Sequence, residues 1–317
     1  MNIGAGLVLV FLAGTLMGGN PLLVVPCVLA FALIPHLTAV YAGAPRSALA
    51  RPFLYGMLWG VAQLGAGICV DKIGLALTGA ILNGLSSAFG TLTPLIAQHS
   101  NMLGSSSGIL LIAGTGVMLA GVVLCGWAGY RREEILTGTT PGRRAGRAYF
   151  LVMLLAIVSG VLAALLNIAL AFGGDIVQGA RAQGAAPAWA VFAVWPLALA
   201  GGLILNLAYS IYLMNRNHSW GNFAARPKEI VHPVLGGSLW MLAIAIYSSS
   251  TVFLGILGVS VGWALFQITM ILVATLAGIW THEWRSIERR IFHVNVGGVA
   301  LLFGAIVMMA VANYSVH

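Results

Sequence analysis

Residues 148–172 read AYFLVMLLAIVSGVLAALLNIALAF, a stretch without one charged side chain. A helix needs about 20 consecutive apolar residues to cross the hydrocarbon core of a bilayer, so this stretch is long enough to span it. The rest of the chain has the same character: 60% of its residues are hydrophobic and only 7% are charged, against about 25% charged residues in a soluble domain. The sequence therefore predicts an integral membrane protein.

Uncharged stretches of similar length recur along the chain and predict ten membrane-spanning helices. They are helical in character, because transmembrane strands are only about ten residues long and alternate in polarity. The predicted spans are approximately residues 3–19, 22–41, 53–71, 74–97, 108–129, 148–172, 188–214, 233–254, 257–280 and 292–313. Only Asn20 and Pro21 join the first two spans. The predicted fold class is an all-α polytopic membrane protein.

The distribution of Lys and Arg among the connections predicts the orientation. Loops that follow odd-numbered spans carry 12 of the 15 basic side chains, and loops that follow even-numbered spans carry 3. By the positive-inside rule the first set faces the cytoplasm, so both termini lie outside. We therefore attribute the net charge of +8 to basic side chains that mark the cytoplasmic loops, and not to a nucleic-acid-binding surface. We expect a bacterial inner membrane.

The third and eighth spans share a motif that indicates an internal duplication. GMLW at 56–59 matches GSLW at 237–240, an offset of 181 residues. Since the two helices are five spans apart, they cross in opposite directions, as in the inverted repeats of secondary transporters. We predict two five-helix inverted repeats, residues 1–130 and 148–317, joined by a basic cytoplasmic connection at 131–147. The alternative is chance, because these residue types are common in membrane helices.

The motifs of the third and fourth spans resemble a known family. GMLWGVAQ at 56–63, DKIGLAL at 71–77 and GTLTPL at 90–95 are similar to the L-rhamnose/proton symporter family of the drug/metabolite transporter superfamily. The resemblance continues in order through GWAGYRRE (126–133), SGVLAALLN (159–167), AGGLILN (200–206), NHSW (217–220), LGGSLW (235–240), GWALF (262–266) and EW (283–284). The chain lacks the basic, aromatic-rich connection between spans 1 and 2 that members typically have.

This resemblance implies a function as well as a fold. It implies a secondary active transporter of a neutral monosaccharide such as L-rhamnose, with proton symport and alternating access, and a central cavity lined largely by spans 3, 4, 8 and 9. The alternatives are an uncoupled sugar facilitator and a drug or metabolite exporter of the same superfamily. An enzyme is not predicted, because no nucleotide-binding loop, zinc-protease helix or nucleophile elbow is present.

A sugar offers hydroxyls and one apolar ring face, so its site needs neutral hydrogen-bonding side chains and an aromatic surface. Trp59 and Gln63 share a helix face, and Trp263 and Gln267 repeat the spacing. The predicted substrate-binding residues are Trp59, Gln63, Asn83, Asn167, Asn206, Trp240, Tyr247, Trp263 and Gln267. For each residue the alternative is structural, since amides link membrane helices by hydrogen bonds and tryptophans anchor at the interface.

Proton coupling requires a titratable group, and none of the seven acids lies at mid-span. A charge at the bilayer centre costs at least about 2.5–3.5 kcal/mol, which explains why such acids are rare. Asp71 and Glu283 are the most membrane-proximal acids and are the coupling candidates. Their structural alternatives are ion pairs with Lys72 and Arg285. No metal or cofactor is predicted, and the expected partners are the sugar, protons and membrane lipid, with no nucleic acid.

Overall fold

The computed structural model describes residues 26–138, 147–221 and 231–315, and these residues form helices without a strand. Short 3₁₀ turns lie at 100–102, 191–193 and 255–257. The α-helices are α1 Pro26–Leu33, α2 Leu37–Gly43, α3 Arg46–Ile73, α4 Leu75–Gln98, α5 Ser106–Thr137, α6 Arg147–Ala163, α7 Leu165–Ala171, α8 Gly174–Ala182, α9 Pro187–Ala190, α10 Trp195–Arg216, α11 Val231–Phe253, α12 Gly258–Trp280 and α13 Arg289–Tyr314.

Among the described residues, eight helical segments are long and apolar enough to cross a membrane. They coincide with the third to tenth predicted spans, which are confirmed as helices. The second predicted span overlaps α1 and α2, which would make a ninth if they are counted as one span. The first predicted span, residues 3–19, lies outside the described residues, so ten spans and their inverted repeat stay predictions.

Three of the spans are interrupted, and in two of them a proline lies beside the break. α1 and α2 meet at an angle of 95°, beside Pro35, whose ring nitrogen cannot donate to the helix ladder. His36 follows in the left-handed region with φ of 52°. The sixth span is divided into α6, α7 and α8, and the seventh into α9 and α10, the latter beginning beside Pro196.

Helix α5 extends past the predicted fifth span, 108–129, into the stretch predicted as the basic connection at 131–147. α5 continues to Thr137, and residues 139–146 lie outside the described part of the chain. The cause is local: RREEI at 131–135 places two acids and two bases within one and a half helical turns. Arg131 and Glu134 pair across one of those turns, and such i,i+3 pairs favour continued helix.

The chain divides into two compact units. Unit 1 joins the chain up to Gly67 with Leu165–Phe253, and unit 2 joins Ile68–Ala164 with Leu254–His317. Each unit takes segments from both predicted repeats. A packing unit and a sequence repeat are different divisions of a chain, so the predicted boundaries at 1–130 and 148–317 stay a prediction.

Unit 2 is a helix bundle in which α5 packs along α13 and against α4, while α4 also contacts α6 and α12. α5 and α13 approach closely where Gly121 meets Gly298: a Cβ on Gly298 would lie 3.0 Å from the carbonyl oxygen of Gly121. Membrane helices associate through such small residues. The buried core of this bundle includes Leu95, Leu111, Met118, Val261, Ile268, Leu302 and Met309.

Unit 1 contains the helix crossing that positions most of the predicted site. α3 crosses α10 at Gly60 and Gly202, where a Cβ on Gly60 would lie 2.8 Å from the carbonyl oxygen of Gly202. α2 packs against α8, and the hydroxyl of Tyr41 donates to the carbonyl of Ala193 at 2.8 Å. α11 packs against α9.

Candidate functional site

The α3–α10 crossing brings backbone polar atoms of two helices within reach of side chains. The absence of a Cβ at Gly60 and at Gly202 lets the helices approach until Trp59 covers Gly202, since a Cβ there would lie 2.9 Å from the indole Cε3. Trp59 is 13 residues into the 28-residue α3, about 20 Å along its axis. The crossing therefore lies near the middle of the helix.

Two of the predicted aromatic residues are partners. The rings of Trp59 and Trp240 stack with centroids 5.9 Å apart and an interplanar angle of 14°. Both side chains are half-buried. Stacked aromatic pairs of this geometry contribute about 0.5–1.5 kcal/mol beyond the burial of their area.

Asn206 lies at the same helix crossing as Trp59. Its Nδ2 donates to the carbonyl of Gly202 at 2.8 Å and points to the carbonyl of Gly60 at 3.4 Å. The side-chain oxygen Oδ1 is buried and has no hydrogen-bond partner among the described residues. We refer to Trp59, Gly60, Gly202, Asn206 and Trp240 as the aromatic–amide cluster. Gln63, one turn beyond Trp59 on α3, is half-buried.

A second buried polar group of unit 1 contains two more predicted residues. The Tyr247 hydroxyl donates to Oδ1 of Asn167, and the two residues are 4% and 0% exposed. Nearby in sequence, Oγ of Ser248 accepts from the indole nitrogen of the fully buried Trp195 at 2.9 Å. Burying such groups is tolerated because they are paired. Six of the nine predicted substrate-binding residues thus lie in unit 1.

The other three predicted residues belong to unit 2. Trp263 donates from its indole nitrogen to the carbonyl of Ser86 at 3.0 Å, and its ring fits against Gly90, where a Cβ would lie 2.5 Å from the indole nitrogen. Gln267 is 4% exposed, and Asn83 is half-buried. The contacts of Trp263 are those of a residue that packs α12 against α4, so its substrate role stays a prediction.

The two coupling candidates are both in ion pairs. Asp71 pairs with Lys72 at 2.7 Å, as the structural alternative predicted. Glu283 pairs with Arg132 at 2.9 Å, so the predicted pairing with Arg285 is wrong. The sequence pointed to the near neighbour, whereas the end of α5 carries Arg132 to the turn between α12 and α13. The guanidinium of Arg132 also lies 5.1 Å from the ring centroid of Trp284.

Glu133, the residue after Arg132, binds the start of α4 at the same end of unit 2. The carboxylate of Glu133 accepts the backbone N–H groups of Leu75 and Ala76 at 3.2 and 3.0 Å. These are the first residues of α4, whose free N–H groups favour a negative charge. The preceding Gly74 has φ of 85°, a conformation that glycine adopts readily. Arg132 and Glu133, near the end of α5, therefore contact the α12–α13 connection and the α3–α4 connection. Three predicted cytoplasmic connections meet at this end of unit 2.

The geometry is that of a membrane protein with neutral polar groups placed inside its spans, and the comparison with known proteins agrees. The model of the L-rhamnose-proton symport protein family matches residues 11–315. The chain belongs to this family. It is therefore a multi-pass integral membrane protein of a transporter family and not an enzyme.

Curated members of the symporter family align with nearly the whole chain. The L-rhamnose-proton symporter of Cronobacter sakazakii is 23% identical over 300 residues, covering 92% of this chain and 84% of the relative. That of Escherichia coli strain SMS-3-5 is 24% identical over 302 residues, covering 92% and 87%. That of Shigella dysenteriae serotype 1 is 24% identical over 300 residues, covering 92% and 84%.

Sequence reasoning missed Ser210, which lies one turn after Asn206 on α10. Its side chain is fully buried and its Oγ has no hydrogen-bond partner among the described residues. A buried polar atom left unpaired costs about 1–3 kcal/mol. Thr78, Thr91, Ser219 and Ser249 each have such a hydroxyl as well, and Ser210 shares a helix face with Asn206. The spacing of an amide and a hydroxyl four residues apart inside an apolar span is the signal that could have found it.

Among described residues, no group of three or more His, Cys, Asp or Glu could hold a metal ion.

Proposed function

We propose that this protein is a secondary active transporter of a neutral monosaccharide such as L-rhamnose, driven by proton symport through alternating access. Membership of the symporter family and the names of the aligned relatives support this proposal. The structural observation that carries it is the aromatic–amide cluster, which sets a stacked tryptophan pair beside an amide inside the spans.

The chemistry of the cluster suits an uncharged polyol. Asn206 presents an unpaired oxygen that accepts a hydroxyl proton, and a tryptophan face packs against the C–H side of a sugar ring. No Asp, Glu, Lys or Arg occurs between Trp59 and Val70 on α3 or from Trp195 to Asn215 on α10. A charged substrate would need a counter-charge there, because an unpaired ion in a low-dielectric span is costly.

The same proposal assigns the orientation and the coupling group. We place the end of unit 2 that carries Arg132 and Glu133 in the cytoplasm, in a bacterial inner membrane, with both termini outside. Glu283 at that end, paired with Arg132, is the proposed coupling carboxylate, with Asp71 as the second candidate. Protonation of Glu283 would remove the negative charge from the pair and release the turn between α12 and α13.

The test is uptake of radiolabelled L-rhamnose by proteoliposomes with an imposed proton gradient, inside alkaline. We expect accumulation that a protonophore abolishes. Replacing Trp240 by Ala removes the stacking partner of Trp59 and should raise the KM for uptake about 2- to 10-fold, the equivalent of one aromatic contact. Trp280→Ala is the matched control, since Trp280 is 83% exposed and should leave uptake unchanged.

Three outcomes would contradict the proposal in different ways. Uptake that equilibrates but does not respond to the gradient identifies a facilitator. Absence of uptake for every monosaccharide, together with gradient-driven movement of amphipathic compounds, identifies an exporter. Equal KM values for Trp240→Ala and Trp280→Ala would show that the aromatic–amide cluster is not part of the substrate site. The proposal that the protein transports a sugar would still stand.

The coupling role of Glu283 has its own test. Glu283→Gln keeps the size of the side chain but cannot change charge. We expect it to lose gradient-driven accumulation while it retains exchange of labelled for unlabelled sugar. Glu288→Gln, in the same connection and without a side-chain capping bond, is the control. Accumulation by Glu283→Gln at the wild-type level would exclude this carboxylate and leave Asp71 to be tested in the same way.

A further inference from the structure

Asn206 and Ser210 form a pair of buried polar groups on one face of α10. They are one helical turn apart, which places their side chains on the same face. The two residues are 5% and 0% exposed. Asn206 is 11 residues after the first residue of α10, about 17 Å along the helix axis. Ser210 is six residues before Arg216, the last residue of α10, about 9 Å from that end. The pair therefore extends from the middle of α10 toward its C-terminal end.

The orientation of the Asn206 amide is determined by its neighbours. Two carbonyl oxygens, of Gly202 and Gly60, face its nitrogen, and carbonyl oxygens accept hydrogen bonds only. If the amide were rotated by half a turn, its oxygen would oppose both of them. Nδ2 is therefore held toward the backbone, and Oδ1, an acceptor with two lone pairs, points away from it.

Ser210 differs from buried hydroxyl side chains that bond within their own helices. Ser248 donates to the carbonyl of Ile244 and Thr115 to that of Leu111, each one turn back along its helix. This is the usual arrangement for a hydroxyl inside a helix. Oγ of Ser210 has no partner among the described residues, so it retains both its donor and its acceptor capacity.

The two atoms together define what they would recognise. Oδ1 of Asn206 accepts only, and Oγ of Ser210 accepts or donates, so the complementary ligand must supply hydrogen-bond donors, as the hydroxyls of a sugar do. No charged residue lies on α10 between Trp195 and Asn215, which excludes a counter-charge from this helix. Trp59 lies against Gly202, one turn before Asn206, and adds an apolar surface next to the pair.

We infer that Asn206 Oδ1 and Ser210 Oγ are a hydroxyl-reading pair that accepts hydrogen bonds from ring hydroxyls of the transported sugar and so determines which sugars are carried. This inference rests on the proposed function and adds a specificity-determining residue, Ser210, to it. Sites built to pair with a hydroxyl reject analogues that lack it, because the protein atoms are then buried without a partner.

The experiment measures competition against L-rhamnose uptake by derivatives that each lack one ring hydroxyl, or carry fluorine in its place. Fluorine has a similar size but cannot donate. For the wild type, at least one position should weaken competition about 3- to 10-fold, equally for the deoxy and the fluoro derivative. In Ser210→Ala, the penalty at that position should fall to less than about 2-fold, the equivalent of losing one hydrogen bond, while the other positions keep theirs.

The control removes a buried hydroxyl that already has a partner in its own helix. Thr115→Val on α5 should retain the wild-type competition profile. The folded state of each variant is checked by its thermal melting, and alanine is well tolerated in helices. If every derivative competes equally in the wild type, or if Ser210→Ala keeps the whole wild-type profile, the hydroxyl-reading pair is refuted and Ser210 is only a small packing residue. If the wild type carries no monosaccharide at all, it is the proposed function that fails.

Discussion

Replacing Gly60 by Ala tests the close crossing on which the aromatic–amide cluster depends. The added methyl group would lie 2.8 Å from the carbonyl oxygen of Gly202, 3.0 Å from its Cα and 3.1 Å from Nδ2 of Asn206. Carbon contacts are optimal at about 3.5–4.0 Å, so the two backbones must separate by roughly 0.5–1 Å. Because two of the three atoms are backbone, no side-chain rotation relieves the overlap.

The expected loss of stability follows from that overlap. Overpacking of this kind costs about 1–3 kcal/mol, whereas alanine in place of glycine inside a helix gains about 1 kcal/mol from its higher propensity. Gly79→Ala on α4 isolates the second effect, since a Cβ there meets nothing within 4 Å. Relative to this control, Gly60→Ala should be less stable by about 1–3 kcal/mol.

The assay is thermal melting of both purified variants in detergent, followed by uptake in proteoliposomes. Gly60→Ala should melt below Gly79→Ala, and its KM for sugar should rise because α10 carries Asn206 away from Gly60. Equal melting temperatures and equal KM values for the two variants would show that α3 and α10 do not approach as closely as described. Lower stability with an unchanged KM would separate the crossing from the substrate site.

Three further perturbations address the buried pairs and the Arg132 end of unit 2. Tyr247→Phe leaves Oδ1 of Asn167 without that donor and should lower the free energy of unfolding by about 1–3 kcal/mol; an unchanged denaturant midpoint would refute this. Gly278→Ala places a methyl group 3.0 Å from Nη1 of Arg132 and should disrupt its ion pair with Glu283. The melting temperature should therefore fall and should no longer depend on salt concentration. Glu133→Gln removes the charge at the start of α4 and should lower the free energy of unfolding by about 0.5–2 kcal/mol. Hydrogen exchange in the first turn of α4 should become faster.

Local patterns were enough to predict the membrane class and eight of the helices, because hydropathy over about 20 residues reports directly on membrane insertion. They were also enough to predict the pair of Asp71 with Lys72, which are neighbours in sequence. The partner of Glu283 was not predictable in the same way. Arg132 is far from it along the chain, and only the packing of α5 beside the α12–α13 turn brings the two together.

The two Trp-x-x-x-Gln motifs illustrate the limit most clearly. Trp59 stacks on Trp240 in unit 1, whereas Trp263 donates to the carbonyl of Ser86 and fits against Gly90 in unit 2. The spacing is the same and the environments differ. Sequence reasoning likewise selected Asn206 for its residue type, but its free oxygen became visible only when Gly60 and Gly202 were placed against its nitrogen.

The amino-acid sequence determined that the chain crosses a membrane as helices, where most of those helices lie, and to which family it belongs. The tertiary structure alone decided which face of each helix meets protein and which polar atoms are left unpaired. The reason is physical: lipid tails are as apolar as a leucine-rich helix interface. A membrane helix therefore carries little hydrophobic asymmetry that would reveal its rotation about its own axis, and the partners of its amides and tryptophans follow from packing.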